Sequence, residues 1–153
     1  MNASTRGSRQ DAVEMDRADR TGARRIRFVS VKISRERGSN IVVRVEIERD
    51  GEAFAAERSG VGLDAVELRL AADATLAAIR ACEPDAPAFL LVGAKRLHAF
   101  DADVVLVSVA RGADRRPAFL GAVPVRETLA QAAALAVLNA TNRVLGSAAG
   151  GGS

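Results

Sequence analysis

The chain has 153 residues, enough for one domain with a proper core and too few for two of ordinary size. Hydrophobic residues make up 48% of it but aromatics only 3%, without Trp or Tyr, so the core must be aliphatic and the stacking platforms of single-strand nucleic-acid binders are missing. The net charge of +3 comes from 22 basic against 19 acidic residues, a weak electrostatic footprint, and the single Cys82 excludes an internal disulfide and a multi-cysteine metal site.

Residues 1–24 are polar, carry dense charge of both signs and hold almost no large apolar side chains. They cannot bury enough surface to offset the entropy of ordering, and a disordered head is expected. The head lacks the apolar core of a signal peptide, and Asp11, Glu14, Asp16 and Asp19 argue against an acid-poor transit peptide. No apolar run approaches a membrane span, so no membrane partner is expected, and a chain whose lone Cys82 needs no oxidising compartment is expected in the reducing cytoplasm. Glycine and serine make residues 147–153 a flexible tail, which leaves 25–146 as the folded domain.

Within that domain, Arg25 to Arg35 alternates around Ile26, Phe28, Val31 and Ile33, and Gly38-Ser39-Asn40 supplies a turn before the apolar run Ile41 to Ile47. Asp50-Gly51 is the dipeptide of a type I′ hairpin turn, and Ala53 to Arg58 follows as a third strand. From Asp64 the period becomes helical: Val66, Leu70, Ala74 and Ala77 to Ala78 share a stripe, and Arg69, Asp73 and Arg80 mark a polar one. Asp64 is the expected N-cap, and Pro84 the stop. Strands then recur at Phe89 to Val92, Val104 to Val109 and Pro117 to Val123, followed by a second helix from Pro124 to Leu145 with Gly146 as its left-handed stop.

The order of elements therefore repeats. A shift of 62 residues lays Val42, Val43 and Val45 on Val104, Val105 and Val107, and Ala74, Leu76 and Ala78 on Ala136, Leu138 and Ala140. The expected fold class is α+β, two duplicated βββα units whose antiparallel strands form one sheet surface covered by two helices.

Chemistry-bearing motifs are sparse. No P-loop, HExxH, GxSxG or CxxC occurs, and no enzyme, cofactor or metal is expected. His98 has no evident partner in its segment, Cys82 reads as a small packed hydrophobe, and Glu46 with Glu48 as one solvated strand face. Ser59-Gly60-Val61-Gly62-Leu63-Asp64 sets two glycines between a strand and a helix whose first amides lack partners; this suits an anion, or reflects steric need alone. Ala130, Ala132, Ala133, Ala134, Ala136 and Ala140 surround the second helix with small side chains. That pattern fits a dimer interface, for which Ala132, Ala133, Ala136 and Ala140 are the candidates, or a helix buried in the core. The basic stretches Arg17 to Arg27 and Arg111 to Arg116 could contact phosphates, but acids interrupt the first and the second resembles a solvated hairpin loop, which makes a nucleic-acid partner the less favoured alternative.

Two segments resemble a known family. Gly60-Val61-Gly62-Leu63-Asp64-Ala65-Val66 is similar to the glycine-rich turn and helix start of the C-terminal regulatory domain of 2-isopropylmalate synthase, and Ala136 to Arg143 (AVLNATNR) is similar to its helix ending in Ala-x-Asn-Arg. Leu63 stands where the family has proline, and Gly121-Ala122-Val123-Pro124 has one glycine where the second turn has two. The resemblance implies a duplicated βββα module that dimerises and binds an amino acid or small carboxylate, with Gly60, Gly62, Asp64 and Gly121 as the ligand-binding candidates. A length of 153 residues has no room for a barrel of about 250, so a stand-alone regulatory or sensing module is expected, acting on a protein partner that its residues do not identify.

Overall fold

Alternating β-branched residues build the first half of the chain as a three-stranded antiparallel sheet. Its strands are β1 (Arg27–Arg35), β2 (Asn40–Arg49) and β3 (Glu52–Val61), in spatial order β1-β2-β3. The computed structural model describes residues 25–86, 88–112, 116 and 119–151, so the expected head 1–24, residues 113–115 of the Arg111 to Arg116 stretch, the first two residues of the expected strand 117–123 and the last two residues of the tail lie outside the described residues. On β2 the odd positions Ile41, Val43, Val45 and Ile47 are fully buried, as period 2 requires of a strand with one face on the core. On β1 the inward residues change parity from Phe28 to Val31, and a bulge between Phe28 and Ser30 is the cause: Val29 is the extra residue, and the register resumes beyond it. Asp50 and Gly51 close the β2–β3 hairpin with φ of 53° and 82°, the two left-handed residues that a type I′ turn demands.

Helix α1 (Asp64–Cys82) follows. Its N-cap is Leu63, not Asp64, which occupies the first helical position and places its charge beside the positive end of the helix dipole. Glu83 ends the helix just before Pro84. The buried arc is wider than a single stripe and includes Glu67, Leu68, Ala71, Ala72, Thr75 and Ile79, because α1 touches β2 and β3, the second helix, and a strand of the other sheet. Thr75 tolerates this burial by donating to the Ala71 carbonyl at 2.7 Å, and Glu67 by accepting from Arg35 at 2.8 Å.

The second unit repeats the order with β4 (Phe89–Ala99), β5 (Ala102–Arg111), β6 (Phe119–Pro124) and α2 (Leu129–Gly151). The architecture is α+β, two βββα units, with the strands divided into two three-stranded sheets rather than one continuous surface. Pro124 ends β6 instead of opening the helix. The Thr128 hydroxyl caps α2 by accepting the Gln131 N–H at 3.0 Å, and the helix passes through Gly146, where a stop was expected, to Gly151. Glycine within a helix costs only about 1 kcal/mol relative to alanine, and Ala148 and Ala149, strong helix formers, follow it.

Burial confirms the 62-residue offset independently of the letters. Leu68, Ala71, Ala72, Ala74, Thr75, Leu76, Ala78 and Ile79 are buried on α1, and the eight residues 62 positions on, Ala130, Ala133, Ala134, Ala136, Val137, Leu138, Ala140 and Thr141, are buried on α2. Val43, Val45 and Ile47 map in the same way onto the buried Val105, Val107 and Val109. The outer strands drift by one to three residues where the loops differ in length, so Ala56, which pairs with Val45, has Gly121, which pairs with Val107, as its counterpart.

Each helix serves both sheets: α1 lies on β3 and β2 and reaches β4, while α2 lies on β6 and β5 and reaches β1. At the last of these contacts the Asn142 side-chain amide takes both backbone groups of Ile26, accepting its N–H at 3.1 Å and donating to its carbonyl at 3.0 Å. Its neighbour Arg143 donates to the Leu120 carbonyl on β6 at 2.8 Å. Asn142→Ala would leave a buried backbone pair without partners, and a loss of about 2 kcal/mol is expected, read as a fall in Tm of roughly 4–8 °C by differential scanning fluorimetry.

Candidate functional site

The glycines nominated from the sequence are explained by packing. At Gly60 a Cβ would sit 3.4 Å from the side chains of Leu70 and Val66, and at Gly62, with φ of 151°, it would come within 2.3 Å of the Val66 side chain. The strand-to-helix turn is thus glycine-rich because α1 folds straight back over it. Asp64 stands exposed beside it, on the rim of a separate open cleft of about 340 Å³ lined by Ala65, Leu68, Ala94, Lys95, Arg96 and Leu129. Gly121 corrects the sequence expectation more sharply. It lies within β6, buried, where a Cβ would fall 1.9 Å from the Ala136 carbonyl oxygen of α2, so no second glycine turn exists and the first has no structural twin. The structure does not bring Gly121 and the Gly60 turn together as one site.

The alanine candidates also resolve. Ala132, Ala133, Ala136 and Ala140 are at most 2% exposed within a single chain, which makes them the core of the fold and not the surface of a dimer. Close approach of helix to helix and helix to strand is what their small side chains permit, and Gly121 meets Ala136 and Ala140 at that contact.

His98 has a partner that its sequence segment did not reveal. A two-residue turn, Phe100-Asp101, both with positive φ, folds β5 back so that Asp103 Oδ1 lies 3.2 Å from His98 Nδ1, and both side chains remain largely in solvent. Cross-strand pairing, not proximity in sequence, creates the pair, and Phe100-Asp101 lacks the glycine or asparagine that marks such a turn in a sequence. Cys82 is partly buried, and that burial pushes its thiol up despite the lowering influence of Arg49 beside it. A thiol so placed stays protonated at neutral pH, the reverse of an activated nucleophile. Among the described residues no group of three or more His, Cys, Asp or Glu side chains gathers as a metal site would, and no helix is long and apolar enough to cross a membrane.

What the sequence did not single out is a cleft of about 220 Å³ between the C-terminal half of α1, Arg58 of β3 and the start of β4. Leu76, Ile79, Phe89 and Leu91 supply apolar walls, and Arg58, Asp73, Arg80 and Glu83 bring charges of both signs. Glu83 is engaged by Arg49 of β2. Asp73 is different: half-buried, it has no hydrogen bond or ion pair among the described residues, and the loss of solvent raises its carboxyl above the ordinary value, only partly countered by Arg69 and Arg58. Charged groups removed from water normally find partners, so an unmet carboxylate in a cleft is a feature to explain.

The duplication shows why the cleft is open. Arg80 is the counterpart of Asn142 at the 62-residue offset, and Phe89 pairs along β4 as Ile26 precedes β1. In one half of the molecule Asn142 and Ile26 seal the junction of helix and strand with two hydrogen bonds; in the other, Arg80 and Phe89 line a gap. No family model matches the chain, and a search of the curated proteins finds no match.

Gly121→Ala places a methyl group on a backbone carbonyl that cannot move without shifting α2. A destabilisation of about 3 kcal/mol or more is expected, at the upper end of the overpacking range, with Gly60→Ala milder because flexible side chains face it. Chemical denaturation with matched m-values would measure both.

Proposed function

We propose that this chain is a non-enzymatic, self-associating regulatory module that senses a small amino acid or related carboxylate in the cleft between α1 and β4. The observation that carries the reading is Asp73, a half-buried carboxylate with no hydrogen bond or ion pair among the described residues, set among arginines and apolar walls. An amino acid matches that set of groups: its ammonium meets Asp73, its carboxylate meets Arg58 or Arg80, and an aliphatic side chain lies on Leu76, Ile79 and Leu91. The modest volume supports a ligand of metabolite size. The resemblance of two segments to an amino-acid-binding regulatory domain points to the same ligand class, although the glycine turn that carries it is accounted for by packing.

Binding would be stabilising because a ligand ammonium adds a direct ion pair to a carboxylate that Arg69 and Arg58 only partly offset. Without ligand, a carboxyl held above its ordinary value binds protons more tightly in the folded state than in the unfolded one, so its contribution to stability falls as pH rises through the folded value. With ligand, the ionised form is the one that pairs, and affinity should weaken as pH drops through that same value.

A thermal-shift screen of amino acids and small carboxylates tests the reading. A ligand at a hundred times its Kd adds about 2.7 kcal/mol of stability, a shift of several degrees. Asp73→Asn should raise the Tm of the unliganded protein at neutral pH while abolishing the ligand shift. If no compound moves Tm, or if the shift survives Asp73→Asn, the cleft is not the sensing site.

A further inference from the structure

The duplication provides an internal comparison of the two sheet faces that point away from the helices. Besides Val42, Ala53, Ala55 and Val61, the first sheet carries on this face Lys32, Ser34, Arg44, Glu46, Glu48, Glu57 and Ser59, with an Arg44–Glu57 ion pair across it. On the second sheet the corresponding positions are Lys95, Leu97, Leu106, Ser108, Ala110, Ala122 and Pro124. Every ionised group but one has been replaced by an apolar or small residue, while the inward faces of the two sheets are equally apolar. The same architecture therefore presents one face suited to water and one that is not.

Much of this face is open, although Ala110 on it is fully buried. Leu90, Val92, Leu97 and Leu120 are 41%, 40%, 38% and 55% exposed, and Phe100 is fully exposed at the tip of the β4–β5 hairpin. At its centre the Ser108 hydroxyl is already shielded from water and has no hydrogen-bond partner. Val92 is the bulged residue of β4, facing Ser108 together with Gly93. At about 200 Å² for a fully exposed large side chain, these five residues alone hold on the order of 500 Å² of surface. With Val104, Leu106, Ala122 and Pro124 between them, the patch approaches the roughly 800 Å² per partner of a standard protein interface and exceeds a typical monomer's patches.

We propose that the outer face of the second sheet, β4-β5-β6, is the surface through which two copies of this chain pack, sheet against sheet. The inference rests on the self-association part of the proposed function and shares only Leu90 with the ligand cleft. A second copy fits best because the face is almost uncharged, and so meets itself across a two-fold axis without repulsion, as aligned sheets do in a β-sandwich. Lys95 lies on the edge strand β4, where its ammonium reaches past the rim into water. Among the described residues of this face Lys95 is the one cation, which argues against nucleic acid there, and residues 1–24, dense in charge, have the wrong composition to cover it.

The test is sedimentation equilibrium of the full chain with two substitutions on opposite faces. Leu106→Arg installs on the second sheet the residue type that the first carries at Arg44, and Arg44→Glu alters the first sheet alone. The expected result is a mass of two chains for the wild type, weakened by at least about 30-fold in Leu106→Arg and unchanged in Arg44→Glu, with circular dichroism confirming that all three are folded. A wild type that is monomeric at 100 μM overturns the proposal, as does a folded Leu106→Arg that still dimerises. Flotation with phosphatidylcholine and phosphatidylglycerol vesicles separates the remaining occupant: a monomer that floats through Leu106 assigns the face to lipid and also overturns it. Neither position lines the cleft, so a ligand-dependent thermal shift in Leu106→Arg is preserved whichever way self-association falls.

Discussion

The fold depends on two helices that must each cover parts of two sheets. A three-stranded sheet has too little apolar surface to be stable unless something packs on it, and here neither sheet has a helix entirely to itself. Helix α1 completes its own sheet and reaches β4, and α2 completes its own and reaches β1. Those crossings set the tolerance for side-chain size: two helices and two sheets can converge only where residues are small, so alanines crowd both helices and Gly121 lies directly beneath the Ala136 carbonyl. The near absence of aromatics follows from the same crowding. The one ring pair, Phe89 with Phe119 at 6.4 Å edge to face, involves partly buried residues beside the core.

Departures from the repeat are where function can reside. A duplicated fold begins with two of everything, and positions that stay alike serve the shared core, as the eight matched burial positions of the helices show. Positions that differ carry information. Asn142 closes the junction between α2 and the start of β1, whereas Arg80 leaves the matching junction open with Asp73 unmet. Arg44 and Glu57 pair on one outer face, and Leu106 and Ala122 stand in their places on the other. Cleft and apolar face meet only at Leu90, and Asp73 and Leu106 lie on one each, so ligand occupancy and assembly can respond to separate substitutions.

Much of this was readable in the chain itself because strands and helices announce themselves through periodicity. The odd positions of β2, the Asp50-Gly51 turn, the stop before Pro84 and the 62-residue offset rest on backbone stereochemistry and on burial, both local properties of neighbouring residues. The Asn142-Arg143 pair was visible as a motif, but not its role: its hydrogen bonds reach Ile26 and Leu120, which are distant in sequence. Gly121 could not be distinguished from a turn glycine, since what forbids a side chain there is a carbonyl on another element.

The sequence alone thus determined the α+β class, the duplication, the order of elements and the aliphatic core, because each follows from spacing and side-chain volume along the chain. Only the tertiary structure decided which small residues were core, that the Asp73 carboxylate is half-buried in a cleft, that the strands divide into two sheets, and that one outer face lost most of its charge. Those properties depend on what lies opposite a residue in space, and the 62-residue repeat offered two equivalent environments for each position until the packing distinguished them.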